Sequence, residues 1–326
     1  MTHVTTPSSH KETNNLDPAT AGFLDQFAQI FASIEELTLP EQRATIKKMF
    51  HIPEDQLEPI AKVENKVITG RHGPLNIRLF SPKTTAPLPV IIYLHRGGWV
   101  YGSIEESESI CRKLANETGS IIIAVEYHLS PESKFPVALE DCYDATKWAY
   151  ENASTFSGNQ NKLILCGESA GGNLAAATAL MILDKQEFNV AGQMLLYPVL
   201  TSDLDKESYE KSPDKALLTF ENMQFFIDCY LNSPKEGENP YVSPLKRPNL
   251  RHLPPCFLLT AEYDALKHEG TLYEEALVKA GVPVQAKCYR GVIHGFLDLP
   301  LNEPVKEEAM KDLKGWLKNL KEMENK

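Results

Sequence analysis

At the centre of the chain stands Leu163-Ile164-Leu165-Cys166-Gly167-Glu168-Ser169-Ala170-Gly171-Gly172. Its apolar start predicts a buried strand, and the run from Leu174 to Ile182 predicts a helix directly after it. Between them lies G-x-S-x-G, which needs small residues on either side of the serine because a Cβ there would collide with the neighbouring strand or helix. An ordinary glycine-rich turn is the alternative. The strand before and the helix after favour a sharp turn that holds the Ser169 hydroxyl above a sheet, near a helix N-terminus that favours negative charge.

Strands and helices alternate along most of the chain. Apolar strand-like segments cover residues 89–94, 121–126, 162–166, 193–196, 256–260 and 284–289. Two alternating segments between Ile60 and Phe80, separated by Gly70-Arg71-His72-Gly73-Pro74, predict a hairpin before them. Continuous apolar strands with amphipathic helices between them indicate an α/β fold, in which a mostly parallel central sheet is covered on both faces. The ligand site of such a sheet lies outside the carboxyl ends of its strands.

Two regions fall outside this alternation. Apolar residues at helical spacing predict a helix after Leu16-Asp17-Pro18 and a second from about Glu41 to Phe50, before any strand. We expect these helices to pack on something other than the sheet core. Between Thr201 and Pro244 the chain is polar and then gives an amphipathic helix from about Phe220 to Leu231. An insertion of that size between two core strands is more often functional than passive.

Composition excludes several classes of protein. The 326 residues are 42% hydrophobic and 24% charged, which is typical of a soluble globular protein. A net charge of -11 without a Lys/Arg-rich patch argues against a nucleic-acid partner. The apolar runs are far shorter than the ~20 residues that a membrane helix requires, and the polar first fifteen residues predict a frayed tail and a cytoplasmic protein. Six widely spaced cysteines without C-x-x-C predict reduced core thiols rather than disulfides or a metal site.

A nucleophilic serine needs a base, and the base needs an orienting carboxylate. Both should follow later strands. Asp264 comes just after the segment 256–260, and His294 comes after 284–289, between Gly291 and Gly295. The order Ser169, Asp264, His294 is that of the α/β-hydrolases.

Other residues compete for these roles. Asp264 could cap the helix that begins near Leu266, alone or in addition. Asp203 and Asp205 are alternative carboxylates in a polar loop near the insertion, and His268 is expected on the following helix, pointing away. We rank Ser169, Asp264 and His294 well above these alternatives.

The tetrahedral intermediate also needs hydrogen-bond donors. One should be the N–H of Ala170, directly after the nucleophile. The others are expected in the loop His95-Arg96-Gly97-Gly98-Trp99, where Gly97 and Gly98 leave backbone N–H groups open to a substrate oxygen. A plain Gly-Gly turn is the alternative reading of this loop.

Together these residues resemble the hormone-sensitive-lipase-like esterases, the bacterial family IV branch of the α/β-hydrolases. The family's H-G-G-G matches residues 95–98 in three of four places, and its G-D-S-A-G-G matches 167–172 with Glu168 for aspartate. Its Y-R-L-A-P-E and F-P-A-A-x-x-D segments match 127–132 and 135–141, and its acid and histidine motifs match 264–266 and 293–296. The resemblance runs from about Leu16 to the final helix, predicted from Pro304 to about Leu320.

The resemblance implies an ester hydrolase that acts on short to medium acyl chains, with no metal or organic cofactor. Its partner would be a small-molecule acyl ester. The protein would not insert stably into a membrane, and a homodimer is an open alternative to a monomer. The Ser169-His294-Asp264 triad would act through an acyl-enzyme, Gly97, Gly98 and Ala170 would form the oxyanion hole, and His95, Arg96 and Glu168 would support them. Residues 1–50 would be a tail and cap helices, 201–235 a cap insertion, and 51–200 with 236–326 the catalytic core.

Two alternatives and two departures accompany the resemblance. The same triad could cleave amides, or the chain could be a non-catalytic small-molecule receptor, although plant hormone receptors of this kind lack the working histidine and His294 is present. The family has glycine at Arg96 and arginine at His128. A left-handed backbone at Arg96 would cost ~1–2 kcal/mol; alternatively its guanidinium reaches the cleft and binds an acidic substrate.

Overall fold

One mostly parallel sheet forms the centre of the computed structural model, which describes residues 16, 18–34, 36–212 and 217–323. Among these residues it has eight strands in the order β1-β2-β4-β3-β5-β6-β7-β8. The strands are β1 (Lys62–Gly70), β2 (Gly73–Ser81), β3 (Leu88–Leu94), β4 (Ile121–Val125), β5 (Gly158–Glu168), β6 (Gly192–Leu196), β7 (Cys256–Tyr263) and β8 (Val284–Ile293). β1 and β2 form an antiparallel hairpin, β2 is antiparallel to β4, and all other pairs are parallel. The predicted α/β fold and hairpin are confirmed.

Helices cover both faces of the sheet. They are α1 (Pro18–Ile34), α2 (Leu39–Phe50), α3 (Glu108–Thr118), α4 (Val137–Asn152), α5 (Ala170–Lys185), α6 (Lys206–Lys211), α7 (Phe220–Tyr230), α8 (Lys267–Lys279) and α9 (Glu303–Met323). Side chains alternate along a strand, so Val90, Ile92 and Leu94 of β3 join the core that contains α4, α5 and α8. Ile91 and Tyr93 join the core on the other face, with α3 and α9.

The two N-terminal helices pack outside the main cores, as expected. Leu24 of α1 lies in a small apolar cluster with Ile293 and Leu299 beyond β8. Ile34 and Ile46, from α1 and α2, form another with Val100 after the first core strand. Both helices therefore lie against loops that leave the carboxyl ends of the strands. The predicted tail, residues 1–15, and Asp17 lie outside the described residues.

Several details differ from the sequence predictions. The segment after Thr201 contains the short helix α6, which its polar composition did not predict; the Asp205 carboxylate accepts the Glu207 N–H at 3.2 Å and caps it. All six cysteines are free thiols, but Cys288 is exposed rather than part of the core. No group of metal-ligating side chains occurs among the described residues. Within the same residues, no helix has the length and apolar character to cross a bilayer.

Candidate active site

The turn at Ser169 joins the end of β5 to the start of α5. Ser169 has φ 54° and ψ −117°, a backbone conformation that an L-residue adopts only where the surroundings enforce it. A Cβ at Gly167 would collide with the carbonyl oxygen of Gly171, and one at Gly171 would collide with that of Leu94. The predicted need for small residues beside the serine is thereby confirmed. The Ser169 N–H donates to the Leu196 carbonyl at 2.9 Å, which ties the turn to β6.

Three side chains from different strand ends meet beside this turn. His294 Nε2 lies 2.9 Å from Ser169 Oγ, and His294 Nδ1 lies 2.8 Å from Asp264 Oδ2. With Nδ1 donating to the carboxylate, Nε2 is left to accept the serine proton. Each residue is less than a tenth exposed, at 7% for Ser169, 6% for Asp264 and 7% for His294. The arrangement is therefore shielded from water yet open to a small ligand.

Asp264 has two roles at once. Its Oδ1 accepts the Leu266 N–H at 2.8 Å at the start of α8, while Oδ2 holds the imidazole. The alternative carboxylates Asp203 and Asp205 line a different cavity, about 370 Å³ in volume, together with His268 of α8. The structure thus groups Asp264, and neither alternative carboxylate, with Ser169 and His294.

The residues expected to offer backbone N–H groups are Gly97 and Gly98, in the loop after β3, and Ala170, directly after Ser169. Gly97 has φ +122° and Gly98 has φ +61°, conformations that favour glycine. Ala170, fully buried, is the first residue of α5. No loop or turn hydrogen bond within the described part of the chain uses the N–H groups of these three residues. The geometry leaves them available to a substrate oxygen.

His95, the first residue of this loop, is held in place by contacts with Tyr127. Its ring stacks on Tyr127 at 4.1 Å between centroids, and the Tyr127 hydroxyl donates to the His95 carbonyl at 2.8 Å. Burial lowers the pKa of His95 to about 4, so the ring is neutral near pH 7. Gly102, with φ +97°, lies where a Cβ would collide with the carbonyl of Arg96 and the His95 ring. Sequence reasoning missed the contact that Tyr127 makes, although Tyr127 begins the matched segment 127–132. It also missed Gly102, which lies outside all the segments that match the family.

Arg96 does not strain the loop. It lies outside the positive-φ residues, which begin at Gly97, so the expected cost of a left-handed conformation does not arise. Its Nε donates to Asp298 Oδ2 at 3.0 Å, and its guanidinium lies over the Phe50 ring at 4.6 Å from the centroid. The second departure, His128, holds Asp141 through Nδ1 at 2.7 Å.

Glu168, one residue before the nucleophile, is fully buried. It accepts hydrogen bonds from the hydroxyls of Tyr93 and Tyr197, the latter at 2.6 Å. Burial raises the pKa of Glu168 to about 7, and the charge of Asp298 adds to the rise, whereas Arg96 and the two hydroxyls oppose it. No pattern in the sequence indicates that Tyr93, Tyr197 and Asp298 lie around this carboxyl.

A cavity of about 110 Å³ opens at Ser169 and His294. Its walls are mostly apolar and come from the two N-terminal helices and from the segment around α7. The residues from these two regions are Phe27, Phe31, Ile46, Phe50, Leu217, Leu218, Asn222 and Phe226. The Phe226 ring lies so close to Gly98 that a Cβ there would collide with it. The helix α7, which lies outside the sheet, therefore contacts the loop that contains Gly97 and Gly98.

Comparison with known proteins gives consistent results. Residues 91–298 match a family model described as the alpha/beta hydrolase fold. An arylesterase of Saccharolobus solfataricus is 32% identical over 291 residues, which are 87% of this chain and 93% of that protein. Carboxylesterase NlhH of Mycobacterium tuberculosis is 29% identical over 301 residues, 90% of this chain and 93% of that protein.

Among solved structures, a hyperthermophilic esterase from the archaeon Pyrobaculum calidifontis superposes with a TM-score of 0.87. It is 37% identical in sequence, and the match covers 94% of this chain and 98% of that chain. The similarity thus extends over nearly the whole molecule.

Proposed function

Because the chain belongs to the hormone-sensitive-lipase-like esterases of the α/β-hydrolase fold and is a carboxylic ester hydrolase, we propose that it cleaves small acyl esters through Ser169, His294 and Asp264. The observation that carries this proposal is the continuous hydrogen-bonded chain from Ser169 Oγ through the imidazole to Asp264, at 2.9 Å and 2.8 Å. No metal or organic cofactor enters the reaction.

The first half of the reaction forms the acyl-enzyme. His294 Nε2 takes the proton of Ser169 as the oxygen attacks the ester carbonyl, and the Asp264 carboxylate stabilises the resulting imidazolium. The N–H groups of Gly97, Gly98 and Ala170 stabilise the negative oxygen of the tetrahedral intermediate. His294 then returns the proton to the departing alcohol.

The second half releases the acid. A water molecule takes the place of the alcohol, gives its proton to His294 and attacks the acyl carbonyl. The same donors stabilise the second tetrahedral oxygen, and the proton returns to Ser169 as the acid leaves. The enzyme is thereby restored without a co-reactant other than water.

Two segments form a cap over this site in the proposal: cap helices within residues 1–50, and the insertion 201–235. Residues 51–200 and 236–326 are the catalytic core. The support is that α1 and α2 supply Phe27 and Phe50 to the walls of the cavity, while the insertion supplies Phe226. These rings would contact the acyl or alcohol group of the substrate and exclude water from the acyl-enzyme.

The size of the cavity favours small substrates. Its volume of about 110 Å³ is close to the ~150 Å³ of a cavity that holds one benzene-sized molecule. We therefore propose that short acyl esters are the preferred part of the short-to-medium range. An amide deacylase would use the same residues, and the test below includes that reaction. A receptor without catalysis is disfavoured because His294 stands within hydrogen-bond distance of Ser169.

The test compares Ser169→Ala with the wild-type protein on p-nitrophenyl esters of graded acyl length and on one anilide. Loss of ester hydrolysis by about 10⁴-fold or more, with the fold retained, is expected because the nucleophile is removed. Ser120→Ala is the matched control, since Ser120 is buried and its hydroxyl has no hydrogen-bond partner among the described residues. Retention of most activity in Ser169→Ala would refute the assignment, and faster cleavage of the anilide than of the matched ester would identify an amidase.

A further inference from the structure

Arg96 contacts three separate parts of the site. It belongs to the loop of Gly97 and Gly98, its Nε donates to Asp298 at 3.0 Å, and its guanidinium lies over Phe50 of α2 at 4.6 Å. The Arg96 side chain is 22% exposed and that of Asp298 is 7% exposed. An ion pair shielded to this degree holds its two partners more firmly than one on the open surface.

Asp298 belongs to the turn that carries the imidazole. It lies four residues after His294, and its N–H donates to the Gly295 carbonyl at 3.1 Å. The pair with Arg96 therefore connects the loop that offers the oxyanion donors with the loop that offers the base. These two loops leave different strands, β3 and β8, which are not neighbours in the sheet.

The guanidinium of Arg96 balances the negative charge of the carboxyl groups around it. Glu168 is fully buried; the charge of Asp298 raises its pKa, and the charge of Arg96 lowers it. The titratable groups that face this cluster are Asp298, Glu168, Glu106, His95, Tyr93 and Tyr197. Arg96 is the cation among them. Removing it would leave the buried Asp298 carboxylate without its partner, which is costly inside a protein.

The cluster also reaches the base. Tyr197 donates to Glu168 at 2.6 Å, and its ring meets the His294 ring edge-on at 5.1 Å between centroids. A displaced Asp298 or a repacked Tyr197 would thus move the imidazole relative to Ser169. Misplacement by about 1 Å costs on the order of 10²-fold in rate.

We propose that Arg96 is a positioning residue that locks the oxyanion loop to the His294 loop through Asp298 and Phe50. The proposal rests on the proposed function, because it gives Arg96 a role in the geometry of that triad and oxyanion hole. It differs from a role in substrate binding: Arg96 lines the cavity, but Asp298 already pairs with its guanidinium, so the cavity offers no unopposed cation to an acidic ester.

The experiment measures kcat and KM of Arg96→Met, Arg96→Lys, Asp298→Asn and the double variant Arg96→Met/Asp298→Asn. The substrates are a short neutral ester and a matched ester that carries a carboxylate. We expect Arg96→Met to lower kcat about 10- to 100-fold, because the reacting groups are displaced. KM should change less than about 3-fold, because methionine keeps an apolar contact with Phe50 in the cavity wall. Arg96→Lys should recover part of the loss because lysine keeps the charge but not the planar fork. The double variant Arg96→Met/Asp298→Asn should be no slower than Arg96→Met, because the pair acts as one unit.

A pH profile separates positioning from a merely structural role. Loss of the cation leaves more negative charge around the imidazole, so the acid limb of kcat/KM in Arg96→Met should move to higher pH by about half a unit or more. Arg247→Met is the matched control: Arg247 pairs with Asp184 at 2.5 Å with a similar exposure of 27%, at the end of α5 opposite to Ser169. That control should leave kcat and the profile unchanged.

Two results would overturn the proposal. Wild-type kcat in Arg96→Met would show that the pair positions nothing, and a rise in KM confined to esters that carry a carboxylate would show that Arg96 binds substrate instead. If Ser169→Ala also kept its activity, the proposed function itself would have failed. If Ser169→Ala is inactive and Arg96→Met is normal, only the role of Arg96 is refuted.

Discussion

Replacing Gly98 by alanine tests whether the cap and the oxyanion loop are held in direct contact. An ideal Cβ at Gly98 would lie 2.6 Å from both Cδ atoms of Phe226. Carbon atoms pack at about 3.5 Å or more, so the loop or the ring must move by roughly 1 Å. The backbone of Gly98, at φ +61°, adds about 1 kcal/mol of strain for any residue with a Cβ.

The expected result follows from these two costs. A displacement of about 1 Å at an oxyanion donor lowers kcat on a short neutral ester by ~10²-fold in Gly98→Ala. Phe226→Ala removes the collision, so Gly98→Ala/Phe226→Ala should recover about 10-fold of that loss, while the backbone strain stays. Phe226→Ala alone should keep kcat within about 10-fold and shift the preference towards longer acyl chains, because it enlarges the cavity.

Steady-state kinetics on p-nitrophenyl acetate and on longer homologues provide the measurement. Gly281→Ala is the matched control, since Gly281 has φ +78° and nothing within 4 Å of its Cβ position. It carries the same backbone strain without a collision and should keep full activity. If Gly98→Ala retains wild-type kcat, or if the added Phe226→Ala brings no recovery, the contact between α7 and the oxyanion loop does not constrain catalysis.

Further predictions concern pH and the N-terminal helices. Burial raises the pKa of Glu269 to about 8, so the folded protein binds more protons than the unfolded chain between about pH 4.5 and 8 and loses stability as pH rises through that window. Glu269→Gln should therefore have a Tm that rises relative to wild type from pH 5 to pH 8.5; a constant difference would contradict this. Deleting residues 1–50 should lower activity or solubility because it removes Phe27 and Phe50 from the cavity, whereas deleting 1–15 should be silent; full activity with an unchanged chain-length preference after the longer deletion would contradict the cap.

The sheet and the grouping of Ser169, Asp264 and His294 could be predicted because the sequence features that indicate them are local. Each strand is a short apolar run, and Ser169, Asp264 and His294 each follow one at the carboxyl end, where parallel strands bring their loops together. The glycines beside Ser169 carry a steric signal that needs no partner elsewhere in the chain. Asp264 directly follows an apolar strand, whereas Asp203 lies in a polar loop near the insertion, and this difference selects Asp264 over Asp203.

The contacts around Arg96 could not be predicted from the sequence, because they join residues that are far apart along the chain. Arg96 and Asp298 are 202 positions apart, and an aspartate in a loop after a strand has many ordinary explanations. The Phe226 contact with Gly98 was hidden in the same way: helical periodicity predicts an apolar face for α7, but not the surface that this face meets. Packing partners of this kind are fixed by the tertiary arrangement and leave no periodic mark in the sequence.

The location of the backbone strain explains why position 96 tolerates an arginine. Left-handed conformations occur at Gly97, Gly98 and Gly102, and at Trp99, which has φ +61°. A Cβ at Gly97 would collide with the Tyr101 carbonyl, so glycine is required there by space as well as by φ. Trp99 has a Cβ at its positive φ, and its buried ring stacks on Tyr230 at 4.4 Å with 2° between the planes, a packing gain that offsets a strain of about 1–2 kcal/mol. The chain thus needs glycine at Gly97 and Gly98, whose N–H groups we propose as oxyanion donors. Arg96, one residue before the strained segment, is left free to make its ion pair.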